Sequence, residues 1–372
     1  MKKFAKISQI DDNLLFFVTI ALVLIGLLFV YSASCYTAEL ETGNKFYYLI
    51  KQSTGALLGI VAMVTASLFD VNILKKFHLP LAILSALLLG LVFIPGVGIS
   101  KYGATRWIGF GGFSFQPSEI CKFALVLVGA HSLTQENAKP FFKYAKVLLF
   151  GLTYCVLIIL EPNMSVTVCV GLLMVALLFL GGMKIKTFLL ILLPFVVVLP
   201  LMIVLEPYRM LRLMAFLDPW ASPKNEGYQL IQSLYALGSG GLFGVGIFQG
   251  RQKYRFLPFA ESDFVFSVIG EETGLLGCLT LFLLFGLYVY CGVKIALNAK
   301  DKFSCILAGG ITSVVAIQSL INFAVVTGSI PPTGLPLPFI SYGGTSLVVF
   351  MTATGVLLSI SRANKKQGFG IS

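Results

Sequence analysis

Apolar residues in this chain come in long runs, separated by short stretches rich in Lys, Gly, Pro and aromatic residues. The runs are Asn13–Ser34, Tyr48–Leu68, Leu79–Pro95, Ser118–Leu133, Val147–Leu160, Met164–Gly181, Thr187–Leu205, Phe264–Val293, Phe303–Gly328 and Ser341–Ile360. As helices they are about the length that crosses the ~30 Å hydrocarbon core of a bilayer. The fifth is short and ends at Glu161–Pro162, so it is expected to tilt, to pair tightly with the sixth or to lie deeper on one side. The pattern predicts an all-α polytopic membrane protein, one integral membrane domain over residues 1–372 with about ten transmembrane helices. An outer loop covers about 96–117, and one large extracytoplasmic loop, about 206–262, joins spans seven and eight. The first run follows Lys2, Lys3 and Lys6 and lacks a small-residue cleavage site, which marks a retained span.

Composition agrees. Of 372 residues, 57% are hydrophobic and 12% charged, against about 25% charged in a soluble domain. The formal charge of +11 does not indicate nucleic acid, because most basic residues flank spans and no basic stripe interleaves with aromatics. The seven cysteines are scattered without metal-ligand spacing and read as packing residues. His78 and His131 lie far apart in sequence and read as structural.

Charge placement orients the spans. With the N-terminus inside, every inner segment carries at least two basic residues, and together these hold more than half of the 27 in the chain. The short outer loops near 35–47 and 329–340 hold only Lys45. Both termini are therefore expected in the cytoplasm. The two larger outer loops break the pattern with Lys101 and Arg106, and with Arg209, Arg212, Lys224, Arg251, Lys253 and Arg255. Cations on that face need another reason, and anion binding is the obvious one, with lipid headgroups the plainer alternative.

Ionisable groups at the mouth of a span are costly and mark candidate sites. Asp263 stands where the large loop meets the eighth span, a border where a carboxylate can be partly dried and act as a general base. Glu119 and Lys122, at i, i+3 after Gln116-Pro117-Ser118, share a face of the fourth span. A purely structural ion pair is the alternative there. Glu271 and Glu272 are too far along the helix from Asp263 for a close dyad, and one of them is expected to pair with Lys122 or another buried cation. Arg209 and Arg212 share one side of a helix. Gln229, Gln232, Ser233 and Tyr235 punctuate an amphipathic segment suited to the membrane surface. The glycines from Gly238 to Gly250 lack a dinucleotide-binding spacing and read as tight turns or close packing. PPTGLPLPFISYGGTS, from Pro331, forbids helix until about Ser341, and such backbone at membrane depth must be buried in protein or line a polar cavity.

Several segments recur in a family order: VYSAS from Val30, GATRWIGFGGFSFQPSEICKFALVL from Gly103, LDPW from Leu217, GYQLIQSLYALGSGGLFGVG from Gly227, RQKYRFLPFAESDFVFSVIGEETGLLG from Arg251 and LPFISYGGTS from Leu337. Over nearly the whole chain they resemble the shape, elongation, division and sporulation family of bacterial membrane proteins (FtsW, RodA and SpoVE). VYSAS, LDPW and the GATRW stretch are similar to the division and sporulation branch. The resemblance implies an inverting glycosyltransferase that polymerises lipid II into peptidoglycan strands at the outer face of the cytoplasmic (inner) membrane, at the division septum. Its implied partners are a class B penicillin-binding protein transpeptidase and other divisome proteins. It also implies that Asp263 is the essential aspartate and that Arg106, Trp107, Glu119 and Lys122 belong to the substrate site. The family usually has Gln-Pro-Asp and then Gly-Thr where this chain has Glu161-Pro162-Asn163 and then Ser165-Val166, so it departs at all of these but Pro162. It departs again at Glu261-Ser262, where His-Thr is usual.

The residues fit that chemistry. A sugar hydroxyl attacks an anomeric carbon and a lipid-linked pyrophosphate leaves, so a base and a positive pole are needed. Asp263 supplies the first. Arg209, Arg212, Arg251, Lys253 or Lys122 supplies the second, and Gln232 and Ser233 are polar candidates for substrate contact. A Mg²⁺ or Mn²⁺ ion bridging phosphate oxygens is expected, at a site the sequence does not locate. Two other classes use similar residues. A lipid II flippase needs a path open alternately to both faces, and a non-catalytic scaffold for a transpeptidase needs no Asp263 at the interface. The clustering of acids and arginines toward one face favours the enzyme.

Overall fold

The computed structural model describes residues 2–368 apart from 102, 103, 111, 112, 136–138, 188, 191, 192 and 194–206. The chain is a helical membrane bundle. Its helices are α1 (Lys2–Thr42), α2 (Tyr47–Leu68), α3 (Val71–Leu91), α4 (Pro117–Leu133), α5 (Pro140–Leu160), α6 (Met164–Leu180), α7 (Pro207–Leu217), α8 (Tyr228–Gly240), α9 (Val265–Leu297), α10 (Lys302–Val326) and α11 (Gly344–Gly368). Asp70, Asn163 and Asp301 start α3, α6 and α10 by accepting the N–H of Asn72, Val166 and Ser304. Pro117 and Pro140 open α4 and α5, where a missing N–H costs nothing.

Seven described helices (α1, α2, α3, α5, α9, α10 and α11) are long and apolar enough to cross a membrane. The fourth and sixth expected spans are α4 and α6, each 17 residues. The seventh, Thr187–Leu205, lies almost wholly outside the described residues. Several expected edges were wrong: the first helix runs on past Ser34 to Thr42 and the last past Ile360 to Gly368. The third span begins at Val71 and runs through Pro80. The fifth begins at Pro140 and has 21 residues, so it is not short. In both, Lys residues in the first turns hide a helix that continues beyond its apolar run.

The 96–117 loop is a small antiparallel sheet, ordered β1 (Gly98–Lys101), β2 (Ala104–Phe110), β3 (Phe113–Phe115). Trp107 pairs with Ile99, and Ile108 with Phe115. In the bundle α2 packs along α11, and α10 sits inside, touching α4, α6, α9 and α11. Helix α8 does not lie free on a surface. Its Leu230, Ile231, Ser233 and Ala236 are buried against α9 and α10.

Helix α9 is broken at Gly274, whose φ of 66° and ψ of −162° are not helical. A break at membrane depth strands backbone groups that lipid cannot satisfy. The glycine-rich chain after α8 supplies the partners. Val245 and Gly246 donate to the carbonyls of Glu271 and Glu272, while Leu275 and Leu276 donate to those of Gly241 and Leu242. The approach leaves no room for side chains, since a Cβ on Gly274 would lie 2.4 Å from the Gly244 nitrogen.

Residues 331–337, neither helix nor strand, are half-buried, with Leu335 and Leu337 fully buried and Gly334 exposed. Side chains of α10 meet their carbonyls.

Candidate active site

A cavity of about 1620 Å³ opens at the end of the bundle where α2, α4, α6, α9 and α11 begin and α5 ends. Strand β2 brings Arg106 and Trp107 to its wall, α4 brings Glu119, and α7 brings Arg212. The loop before α9 brings Glu261, Ser262 and Asp263, and the segment before α11 brings Thr333 and Gly334. Residues distant in sequence thus meet because one end of each helix converges there.

Burial pushes the Asp263 carboxyl up to about 6, opposed by the Ser262 hydroxyl and by the positive charges of Arg106 and Arg212. Desolvation wins, and the group is poised near neutrality. Burial also raises Glu261, and the neighbouring Asp263 charge adds to the shift. Arg106 is held by the turn between α5 and α6: its Nε donates to the Glu161 carbonyl at 3.1 Å and its Nη2 to the Pro162 carbonyl. The Glu161 carboxyl is buried with neither oxygen hydrogen-bonded. Burial lifts it to about 8, with Arg106 opposing. Ser165 donates its hydroxyl to the Thr333 carbonyl, tying this turn to the opposite wall.

Glu119 and Lys122 form a buried ion pair at 2.7 Å. The two have different surroundings. Glu119 lines the cavity and accepts from the Ser346 hydroxyl at 2.9 Å. Lys122 is wholly buried behind it, donating also to Gln318 Oε1 at 2.5 Å and lying 5.3 Å from the Phe350 ring centre.

Other expected residues lie elsewhere. Lys253 is buried and pairs with Glu272 at 2.9 Å and with the Ser32 hydroxyl at 3.3 Å, away from the cavity lining. Glu272 therefore pairs with a buried cation as expected, and that cation is Lys253 rather than Lys122. The Arg251 backbone N–H caps Glu271 Oε1 at 2.7 Å, and its side chain is exposed outside the cavity. Ser233 is buried between helices, bonded to Ser267 and to the Val326 carbonyl, and Gln232 does not line the cavity. The Arg209 side chain lies outside the described residues. Sequence reasoning missed Lys51 on α2 and Ser346 on α11, both in the cavity wall. Each looks like an ordinary polar residue near a span end, and only the packing of α2 on α11 puts them there.

Among the described residues no group of three or more His, Cys, Asp or Glu is placed to hold a metal ion. What the cavity offers is a carboxyl of raised pKa, two arginines close enough to act on it, and walls that include Ile50, Leu58, Leu160 and Val348. This defines a polytopic membrane protein with carboxyl and guanidinium groups gathered at one end of its bundle.

Comparison with known proteins is specific. The family described as cell cycle protein (FtsW, RodA, SpoVE) matches residues 12–366. "Probable peptidoglycan glycosyltransferase FtsW" of Geobacter metallireducens is 39% identical over 360 residues, covering 95% of each chain. "Stage V sporulation protein E" of Bacillus subtilis is 39% identical over 358 residues, covering 95% of this chain and 98% of the other. A chain in the solved structure "Structural coordination of polymerization and crosslinking by a peptidoglycan synthase complex" superposes with a TM-score of 0.78 at 29% identity, covering 94% of this chain and 97% of that one. The rod shape determining protein RodA of Thermus thermophilus gives 0.70 at 26% identity, covering 94% and 96%. The chain belongs to the FtsW, RodA and SpoVE family.

Proposed function

We propose that this protein is a peptidoglycan glycosyltransferase that polymerises lipid II, with Asp263 as general base. The observation that carries the reading is the Asp263 carboxyl in the cavity wall, raised to about 6 by burial and faced by the charges of Arg106 and Arg212. At pH 7 such a group is about ten-to-one ionised yet still a competent proton acceptor. The acceptor sugar hydroxyl loses its proton to Asp263 as its oxygen bonds the anomeric carbon of the donor. The bond from that carbon to pyrophosphate oxygen breaks, and the pyrophosphate carries away the electron pair. Arg106 and Arg212 offset the charge that grows there. Base catalysis of this kind contributes about 10²–10⁴-fold, and oriented charge about 10²–10³-fold more. The apolar wall residues suit the polyprenyl chains.

A Mg²⁺ or Mn²⁺ ion would be held by pyrophosphate oxygens together with a cavity carboxylate such as Glu261, and would offset charge on the leaving group; the steps above do not depend on it. The Lys distribution supports both termini inside and the site at the outer face of the bacterial cytoplasmic membrane. The branch resemblance supports a role at the division septum with other divisome proteins. Likeness to a chain of a peptidoglycan synthase complex supports a class B penicillin-binding protein transpeptidase as partner. The test is polymerisation of purified lipid II by the purified protein, with and without that partner. Asp263→Asn keeps shape and capping ability but takes no proton. It is expected to lose activity at least 100-fold while staying folded and partner-bound. A folded Asp263→Asn protein within a few-fold of wild type would show that Asp263 is not the base.

A further inference from the structure

We propose that Asn322, supported by Gln318, is a positioning residue that holds Asp263 and the wall above it in register. The proposal rests on the reading of Asp263 as base. The two amides lie i, i+4 on α10 and are buried. Asn322 Nδ2 donates to the Asp263 backbone carbonyl at 2.9 Å and to the Leu335 carbonyl at 2.7 Å. One turn earlier, Gln318 Nε2 donates to the Pro336 carbonyl at 2.9 Å, and its Oε1 accepts from Lys122. A single polar ladder therefore runs from the Glu119–Lys122 pair to the backbone of the base.

The clamp does more than fill space. Residues 331–337 belong to no helix or sheet, so their buried carbonyls depend on donors from elsewhere. Asn322 Nδ2 donates to one such carbonyl, that of Leu335, and to the Asp263 carbonyl beside it, and Asn322 Oδ1 has no partner among the described residues. Turning the amide over would set that oxygen against two carbonyl oxygens. The clamped segment is also the wall beside the carboxylate. Gly334 has a φ of 71°, and a Cβ there would lie 3.1 Å from Asp263 Oδ2. A slip of this segment changes both the room for an incoming hydroxyl and the access of water to the base. Misplacing a reacting group by about 1 Å can cost about 100-fold in rate.

The experiment is lipid II polymerisation from pH 5 to pH 8 by purified wild type, Asn322→Leu, Asn322→Ser and Asp263→Asn. In wild type the activity at pH 5 is expected near one tenth of that at pH 7, because the base is mostly protonated at the lower pH. Asn322→Leu removes both donors. It is expected to lower kcat about 10- to 100-fold with KM within about threefold. Loosening the wall admits water, which moves the acid limb down, so the pH 5 to pH 7 ratio should rise above about one half. Asn322→Ser retains one donor, should fall between, and serves as the test if the Leu variant does not fold. A merely structural role would lower the yield of folded protein and leave the limb in place. Folded Asn322 variants with an unmoved acid limb overturn the positioning role while inactive Asp263→Asn keeps the base. Active Asp263→Asn overturns both.

Discussion

Glu119 and Lys122 are 2% and 0% exposed and lie 2.7 Å apart. Glu119→Gln leaves the ammonium with neutral acceptors only, Gln318 Oε1 and the new amide, beside the Phe350 ring. Removing one partner of a buried pair typically costs about 3–5 kcal/mol, and the depth of Lys122 puts this variant at the upper end. Lys122→Met leaves a carboxylate that still accepts from Ser346 and borders the cavity, where water reaches it, so about 2–3 kcal/mol is expected. The double variant has no lone charge. It retains only the packing change and the loss of one contact to Gln318, about 1–2 kcal/mol. The double variant should therefore melt above Glu119→Gln, with a coupling of at least about 2 kcal/mol. Thermal unfolding of the four proteins in one detergent, at one pH and salt, reads this directly. Losses that simply add would refute the reasoning, because they would mean that neither charge relies on the other.

Gly274→Ala is expected to abolish or severely reduce folded protein, since it combines a φ that L-residues avoid with a Cβ 2.4 Å from the Gly244 nitrogen. Gly286→Ala in the same helix meets nothing within 4 Å and should be neutral; equal yields of the two on size-exclusion chromatography would contradict this account of the kink. Glu161, lifted to about 8, binds its proton more tightly folded than unfolded, so its contribution is full below about pH 4.5 and is lost as pH rises to about 8. Glu161→Gln should therefore flatten the fall of melting temperature between pH 5 and pH 8, by up to about 4 kcal/mol; parallel curves would show that the carboxyl is not dry.

Local chemistry was readable without coordinates wherever it depended on neighbours in sequence. Hydrophobic run length marked the spans, because lipid demands about twenty apolar residues of a crossing helix. The i, i+3 spacing of Glu119 and Lys122 predicted their pairing, because helical geometry alone sets it. The prolines of residues 331–338 excluded helix for the same local reason. The Lys-rich first turns of α3 and α5 defeated the same approach, since polarity marks where lipid ends, not where helix ends.

Tertiary structure decided which charges serve the cavity. Arg212 and Lys253 look alike in sequence, both cations of the large loop. Only the fold shows that Lys253 is taken by Glu272 and Ser32, while Arg212 lines the cavity near enough to act on Asp263. Lys51 and Ser346 reach the wall because α2 lies along α11, and Asn322 reaches Asp263 across 59 positions. Burial also set the proton affinity of Asp263, because desolvation depends on what covers a group and not on its neighbours along the chain.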